Sequence, residues 1–186
     1  MPIIEAHILE GYEPAAKARL HSALTNAVRV CVAAPEEGIT VLLHEYVSYN
    51  YSRGGRSRTP GPANPDPVEI ALSFLRFLEA RDLVAVSALL DPDFKMVFPG
   101  TEPMETLDQL IAWAKGRYRF VKKTIEATEA FPVKEGSVVY IRGTLHGEWP
   151  DGEAFSGIRF VDRLEIAGGK ILKQDVWNDI AEVRSA

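Results

Sequence analysis

The chain has 186 residues, of which 46% are hydrophobic and 25% charged, with a formal net charge of −5. That is the make-up of one ordinary globular domain or two small ones, and the acidic balance argues against a nucleic-acid binder, which normally carries a basic face. No apolar run reaches the ~20 residues that span a bilayer and no basic-plus-apolar leader opens the chain, so neither nucleic acid nor a membrane is expected as a partner, and a cytoplasmic location is the default.

Met1 to Gly11 reads as a short strand that stops at a glycine. At period two, Pro2, Ile4, Ala6 and Ile8 share one face, and Ile3, Glu5, His7 and Leu9 share the other. Proline lacks a backbone N–H inside a chain, so Pro2 suits the first residue of a strand. With Met1 trimmed, the same residue is a free secondary amine. Beside apolar groups or a cation such an amine favours its neutral form and can carry a proton from carbon. Glu13-Pro14 then opens a helix, with Ala16, Leu20, Leu24, Ala27 and Cys31 recurring three and four apart and the end expected near Ala34-Pro35. Cys31, the sole cysteine, excludes a disulfide framework or cysteine metal cluster, and its place on that stripe predicts a small core residue. Ile39 to Val47 is apolar on both faces for most of its length, the pattern of a strand covered on both sides. Strand, helix, strand implies a right-handed parallel crossover. A two-stranded unit over residues 1–55 buries too little to stand alone, which predicts self-association or packing on the rest of the chain.

Pro2 through Gly11, above all His7-Ile8-Leu9-Glu10-Gly11, followed by the helix, the second strand and Arg53-Gly54-Gly55, resembles the 4-oxalocrotonate tautomerase family over residues 2–55. The resemblance implies that Pro2 is the general base and that the proline ends line pockets between subunits of a homo-oligomer. In the best-known members two arginines grip a dicarboxylate and an aromatic residue lines the pocket. The arginine positions fall here on Tyr12 and Thr40, and the aromatic position on Tyr51. Tyrosine and threonine cannot reproduce the planar guanidinium fork, so a dianionic substrate is not expected. Tyr12, Thr40, Tyr51 and Arg53 are instead implied to contact a flatter, less charged substrate with an enolisable carbonyl. Arg53 is either that cation or a solvated loop residue, and the tyrosines either line a pocket or pack a subunit contact.

Residues 56–66, with three prolines and no apolar pattern, read as an extended connector. Asp66-Pro67-Val68-Glu69 starts a helix with a capping signal and an apolar stripe of Ile70, Ala71, Phe74, Phe77 and Leu78. Leu83 to Leu90 reads as a second short helix, Phe94 to Phe98 as a short strand, and Thr106 to Trp113 as a third helix. Strand patterns follow at about 121–131, 137–149, 154–166 and 170–178, with Pro150-Asp151-Gly152 and Gly168-Gly169 as turns. Helices first and a long antiparallel meander after is an α+β layout. The order, closed by Gly169 to Asp179, resembles the cone-shaped fold of nuclear transport factor 2, ketosteroid isomerase and the SnoaL-like polyketide cyclases over residues 67–186. The expected organisation is thus a tautomerase-like βαβ unit over 1–55, a linker over 56–66 and a cone of helices on a curved antiparallel sheet over 67–186.

In the cone, Asp162 interrupts the apolar face of Ile158, Phe160, Leu164 and Ile166 and is expected to point into the concave side, either as a site or as the partner of Arg142 or another strand arginine. Asp175, Trp177 and Asp179 share a face of the last strand; the resemblance implies an acid or base from that strand, and His146 is a candidate partner. Tyr118 and Trp113 either line the pocket or belong to the core. No close His/Asp/Glu ligand set implies a metal, and proline acid–base chemistry requires no cofactor. Three functions follow: a Pro2 tautomerase acting on a small carbonyl compound; a cyclase, isomerase or hydrolase in the cone acting on a hydrophobic, ketone-bearing ligand; or a ligand-binding protein without turnover.

Overall fold

The computed structural model describes residues 1–184. The chain divides into two compact units, Met1–Asn64 and the remainder from Pro65 on.

The first unit is built on a two-stranded parallel sheet. Strand β1 (Ile3–Leu9) pairs with β2 (Thr40–Tyr46), Ile3 opposite Thr40 and Leu9 opposite Tyr46, and helix α1 (Pro14–Cys31) makes the crossover between them. Pro14 sits in the first helical turn after an extended Glu13, where its missing N–H is not needed. Lys17 on α1 pairs with Glu45 at 3.0 Å. Glu45 shares a face with Val41 and Leu43, so α1 lies over that side. On the other side Ile3 is 62% and Leu42 43% exposed. The double cover expected for β2 is therefore not met inside the unit, and no residue of Met1–Asn64 is buried. Cys31 is exposed, against its expected place in a core. Eighteen helical residues run about 27 Å and seven strand residues about 23 Å, so the last turn of α1 outruns the sheet. The helix also stops at Cys31, with Val32 already extended, rather than near Ala34-Pro35.

Beyond β2, Gly54 and Gly55 adopt φ of 60° and 73°. These are the left-handed values a tight hairpin turn requires, and the turn joins β3 (Ser52–Arg53) to β4 (Arg56–Ser57). Arg56 and Ser57 thus belong to a hairpin and not to an extended connector.

The second unit opens with α2 (Pro67–Ala80), whose Asp66 cap accepts a hydrogen bond from Val68 N at 3.0 Å. It is followed by α3 (Leu83–Leu89), β5 (Leu90–Val97) and α4 (Leu107–Ala114), the last opened by a reciprocal Thr106/Gln109 capping box. Then come β6 (Phe120–Val133), β7 (Gly136–Glu148), β8 (Ala154–Ala167), β9 (Lys170–Asn178) and a short α5 (Ile180–Arg184). The sheet order is β5-β9-β8-β7-β6, an antiparallel meander from β6 to β9 with β5 added parallel to β9. This is the mixed α+β layout of helices on a curved sheet. β5 begins four residues before the expected Phe94 because Asp91-Pro92-Asp93 reads as a turn. In the structure that stretch is an irregularity of an edge strand, between the Leu90 and Lys95 pairings, where proline is tolerated.

One sheet face carries the core. Val139, Ile141 and Leu145 of β7, Phe160 and Leu164 of β8 and Ile171 of β9 pack with Ala71 and Phe74 of α2, Val86 of α3 and Met96 of β5. Two glycines of β7 let the sheet curl: a Cβ at Gly143 would run into the Thr124 carbonyl oxygen and one at Gly147 into that of Phe120, both on β6. The β6–β7 register slips beside the first of these, between Ile125 and Ala127, as a bulge that bends a strand would do.

Candidate functional site

Inside the second unit one polar cluster stands in the apolar core. Asp162 on β8 is 0% exposed. Its carboxyl pairs with the ammonium of Lys123 on β6, and Gln174 on β9, also buried, donates from Nε2 at 3.5 Å. Because a carboxylate only accepts, Asp162 fixes the orientation of the Gln174 amide. That leaves Gln174 Oε1 buried without a hydrogen-bond partner. Lys123 lies two strands from Asp162, with β7 between. It spans that gap where β6 curls over Gly143, and its ammonium rests 4.4 Å from the centre of the Phe160 ring, directly opposite Gly143 in the ladder. Lys123 also lines an open cleft of about 680 Å3 between α2 and β6, with Leu72, Leu75, Ile125 and Thr128 as apolar and small walls and Arg76 and Glu79 at its charged side. The arrangement is a buried acid, a cation that reaches both it and a ligand-sized cleft, and an amide that steadies the acid.

The other residues singled out in this unit are not brought to that cluster. Asp175 and Trp177 alternate with the buried Gln174 and Val176 and so face the opposite side of the sheet. There Asp175 pairs with Arg163 at 3.1 Å and with Lys173 at 3.0 Å, and Trp177 is 53% exposed. Burial works against the charge of Arg163, but hydrogen bonds and charge from Glu165 and Tyr140 hold its pKa above the usual arginine value, so Asp175 has a constant cation beside it. Asp179 pairs with Arg159 at 2.5 Å. His146 lies within 3.5 Å of the Thr124 hydroxyl, on the side of β7 away from Leu145 and Gly147. Arg142, expected as a partner for Asp162, pairs with Glu129 instead at 3.6 Å: one residue from Ile141, it points to the other face. Trp113 and Tyr118 pack against the core cluster. Burial pushes the Tyr118 phenol above its usual pKa, with the charges of Arg117 and Arg81 pulling the other way.

Lys123 and Gln174 were missed in the sequence. The signal for Lys123 was present, since it interrupts the alternation of Val121 and Ile125 as Asp162 interrupts its own strand. What the sequence does not contain is the register that brings the two together.

In the first unit Tyr12, Tyr51 and Arg53 line one cleft of about 600 Å3, with His7, Tyr46 and Arg58. Pro2 and Thr40 do not join it. Thr40 N donates to Pro2 O at 3.1 Å at the start of the two strands, while the cleft lies at their far ends, roughly 15–20 Å along at about 3.3 Å per residue. Among the described residues no group of three or more His, Cys, Asp or Glu side chains is placed to hold a metal, and no helix is long and apolar enough to cross a membrane.

Comparison with solved structures gives the fold of the second unit. An NTF2-like protein of unknown function from Burkholderia pseudomallei K96243 aligns with a TM-score of 0.53 at 18% identity, over 63% of this chain and 93% of that one. TerC, crystallised with polyporic acid, aligns at 0.53 and 14% over 63% and 95%. An LEH-like epoxide hydrolase from M. tuberculosis aligns at 0.51 and 16% over 63% and 86%. At these identities the likeness is one of architecture. No curated protein matches the chain. The SnoaL-like domain matches residues 71–174, from the buried face of α2 to Gln174 itself. The match leaves out residues 1–70, where the strand–helix–strand arrangement is present but the likeness to the tautomerases rests on the sequence motif alone. Since the match takes in more than half of the chain and both strands that carry the Asp162–Lys123 pair, this protein belongs to the SnoaL-like domain family.

Proposed function

We propose that the second unit is an isomerase or cyclase acting on a hydrophobic, ketone-bearing ligand, with Asp162 as its proton carrier. The observation that supports this most is a carboxyl group at 0% exposure in an apolar cone, paired with a lysine that also lines a ligand-sized cleft. A carboxylate held there takes a proton from the carbon next to a carbonyl; the C–H electrons move into the carbonyl and form an enolate. The Lys123 ammonium stabilises that oxygen, and the proton returns from Asp162 to a different carbon. Lys123, with its side chain 22% exposed, swings aside for a ligand in the cleft to reach Asp162, and Gln174 keeps the carboxyl aimed. The Gln174 carbonyl oxygen lacks a donor, which a ligand hydroxyl would supply. Ligand binding and small-molecule turnover in solved neighbours, an epoxide hydrolase and a protein holding polyporic acid, fit a site inside the cone.

The first unit serves self-association in this reading. Its support is a sheet face with Ile3 and Leu42 uncovered and no buried residue of its own. The Pro2 tautomerase is the second reading, resting on the amino-terminal motif. It requires removal of Met1, and it requires residues from another copy, because Tyr12, Tyr51 and Arg53 of the same chain stand at the other end of the sheet.

Keto–enol conversion of an arylpyruvate, measured with wild type, Asp162→Asn and Pro2→Ala after intact-mass determination of Met1, separates these. Loss of about 100-fold or more with Asp162→Asn alone supports the cone. Loss with Pro2→Ala alone moves the chemistry to the amino terminus. No turnover in wild type leaves a binding protein.

A further inference from the structure

The cleft of the first unit has a composition that the cone chemistry does not use. Its lining includes Tyr12, Tyr46 and Tyr51, Arg53 and Arg58, and His7, and no acidic residue. Elsewhere in the chain Arg29, Arg76, Arg119, Arg142, Arg159 and Arg163 each have an acidic partner, while Arg56, Arg81 and Arg117 have none among the described residues. Arg53 and Arg58 have none among the described residues. Arg53 donates to the Tyr51 hydroxyl at 3.4 Å, and from Val47 to Pro65 there is no Asp or Glu, so the positive charge of this segment has no neutralising side chain near it in sequence. His7 is stacked on Tyr46 with 5.6 Å between ring centres and bonded to its hydroxyl at 2.9 Å, which holds a flat aromatic wall in place. The floor is firm because His7 and Tyr46 stand on paired strands, while both arginines come from the hairpin and the segment just after it.

We propose that this cleft binds a small planar carboxylate, its anionic end gripped by Arg53 and Arg58 and its ring laid against the tyrosine wall. A guanidinium fork matches a carboxylate bidentately, tyrosine faces and hydroxyls suit a planar ligand with polar edges, and a volume of about 600 Å3 falls in the usual range for small-molecule sites. Every residue of its lining belongs to the first unit, and its occupant is a second ligand, not the Asp162 substrate.

Isothermal titration of the full chain with benzoate tests this, with benzamide as the uncharged isostere and inorganic phosphate as the anion without a ring. Saturable benzoate binding is expected, weaker by about tenfold or more in each of Arg53→Ala and Arg58→Ala, unchanged in Arg142→Ala and in Asp162→Asn, and stronger than the binding of either control. Absence of saturable benzoate binding, equal binding of benzamide, or phosphate binding as well as benzoate overturns it. So does undiminished affinity in both arginine variants, with circular dichroism showing that they are folded. A loss in Asp162→Asn places the benzoate in the cone instead and equally overturns it.

Discussion

Replacing Lys123 by methionine tests how the buried cluster is held. The methionine keeps most of the stem that crosses Gly143 and removes the ammonium, leaving the Asp162 carboxyl at 0% exposure with only the 3.5 Å contact to Gln174. Removing one partner of a buried pair generally destabilises by about 3–5 kcal/mol. The lysine side chain is 22% exposed, so water already screens its end and the lower figure, about 3 kcal/mol, is the expected one. For a domain of this size that corresponds to a fall in Tm of roughly 10 °C. All three tryptophans, Trp113, Trp149 and Trp177, belong to the second unit, so tryptophan emission during urea or thermal unfolding reports on the cone alone. The decisive arm is Lys123→Met with Asp162→Leu. An apolar pair in place of a buried ionic one is often neutral or stabilising, but Asp162→Leu also takes the acceptor from Gln174 Nε2 at a cost of about 1 kcal/mol or more, so the double variant should recover part of the loss, to within about 2 kcal/mol of wild type. A single variant that loses less than about 1 kcal/mol, or a double variant no more stable than the single, would refute the view that the carboxyl depends on the lysine.

Gly143→Ala should destabilise the cone by about 1–3 kcal/mol or more, because its methyl meets the Thr124 carbonyl; Gly61→Ala, in open space, should change stability by under about 0.5 kcal/mol, both read from urea midpoints. Tyr118 should titrate above the ordinary tyrosine value in a spectrophotometric pH titration, and that step should vanish in Tyr118→Phe. Since burial raises its folded-state pKa, the stability it contributes is complete below the unfolded value and is lost as pH rises through the folded one, so Tyr118→Phe should flatten the alkaline fall in Tm. Arg159→Ala should cost less than about 1 kcal/mol despite its 2.5 Å pair with Asp179, because the arginine is 83% exposed.

Period-two alternation carried much of this fold. It located four long strands to within one or two residues and showed Asp162 as a polar residue on an apolar face, because a sheet with one buried side writes its pattern directly into the sequence. The same pattern could not say which face of β9 looks inward. Trp177 is the largest side chain there, yet the inward positions are Gln174 and Val176, since the side of a strand is decided by its neighbours' register. Lys123 and Asp162 are 39 residues apart and meet across an intervening strand, a relation set by the β6 bulge and by a glycine whose importance lies in what it lacks. The edge strand β5 hid behind Asp91-Pro92-Asp93, turn chemistry that an edge tolerates. Cys31 looked buried because a helical stripe shows which residues align, not how far the supporting sheet extends.

The absence of any fully shielded side chain in the first 64 residues bears on how the molecule breathes. Backbone amides of β1 and β2 have few apolar layers above them to keep local openings rare, whereas those in the middle of β7 and β8 are paired on both sides beneath a dense interior. Hydrogen–deuterium exchange should therefore divide the chain near Asn64 into a fast-labelling segment and a slow one. A ligand or second copy that settles on the early segment would show itself first as slower deuterium uptake there, before any change in the rest of the protein.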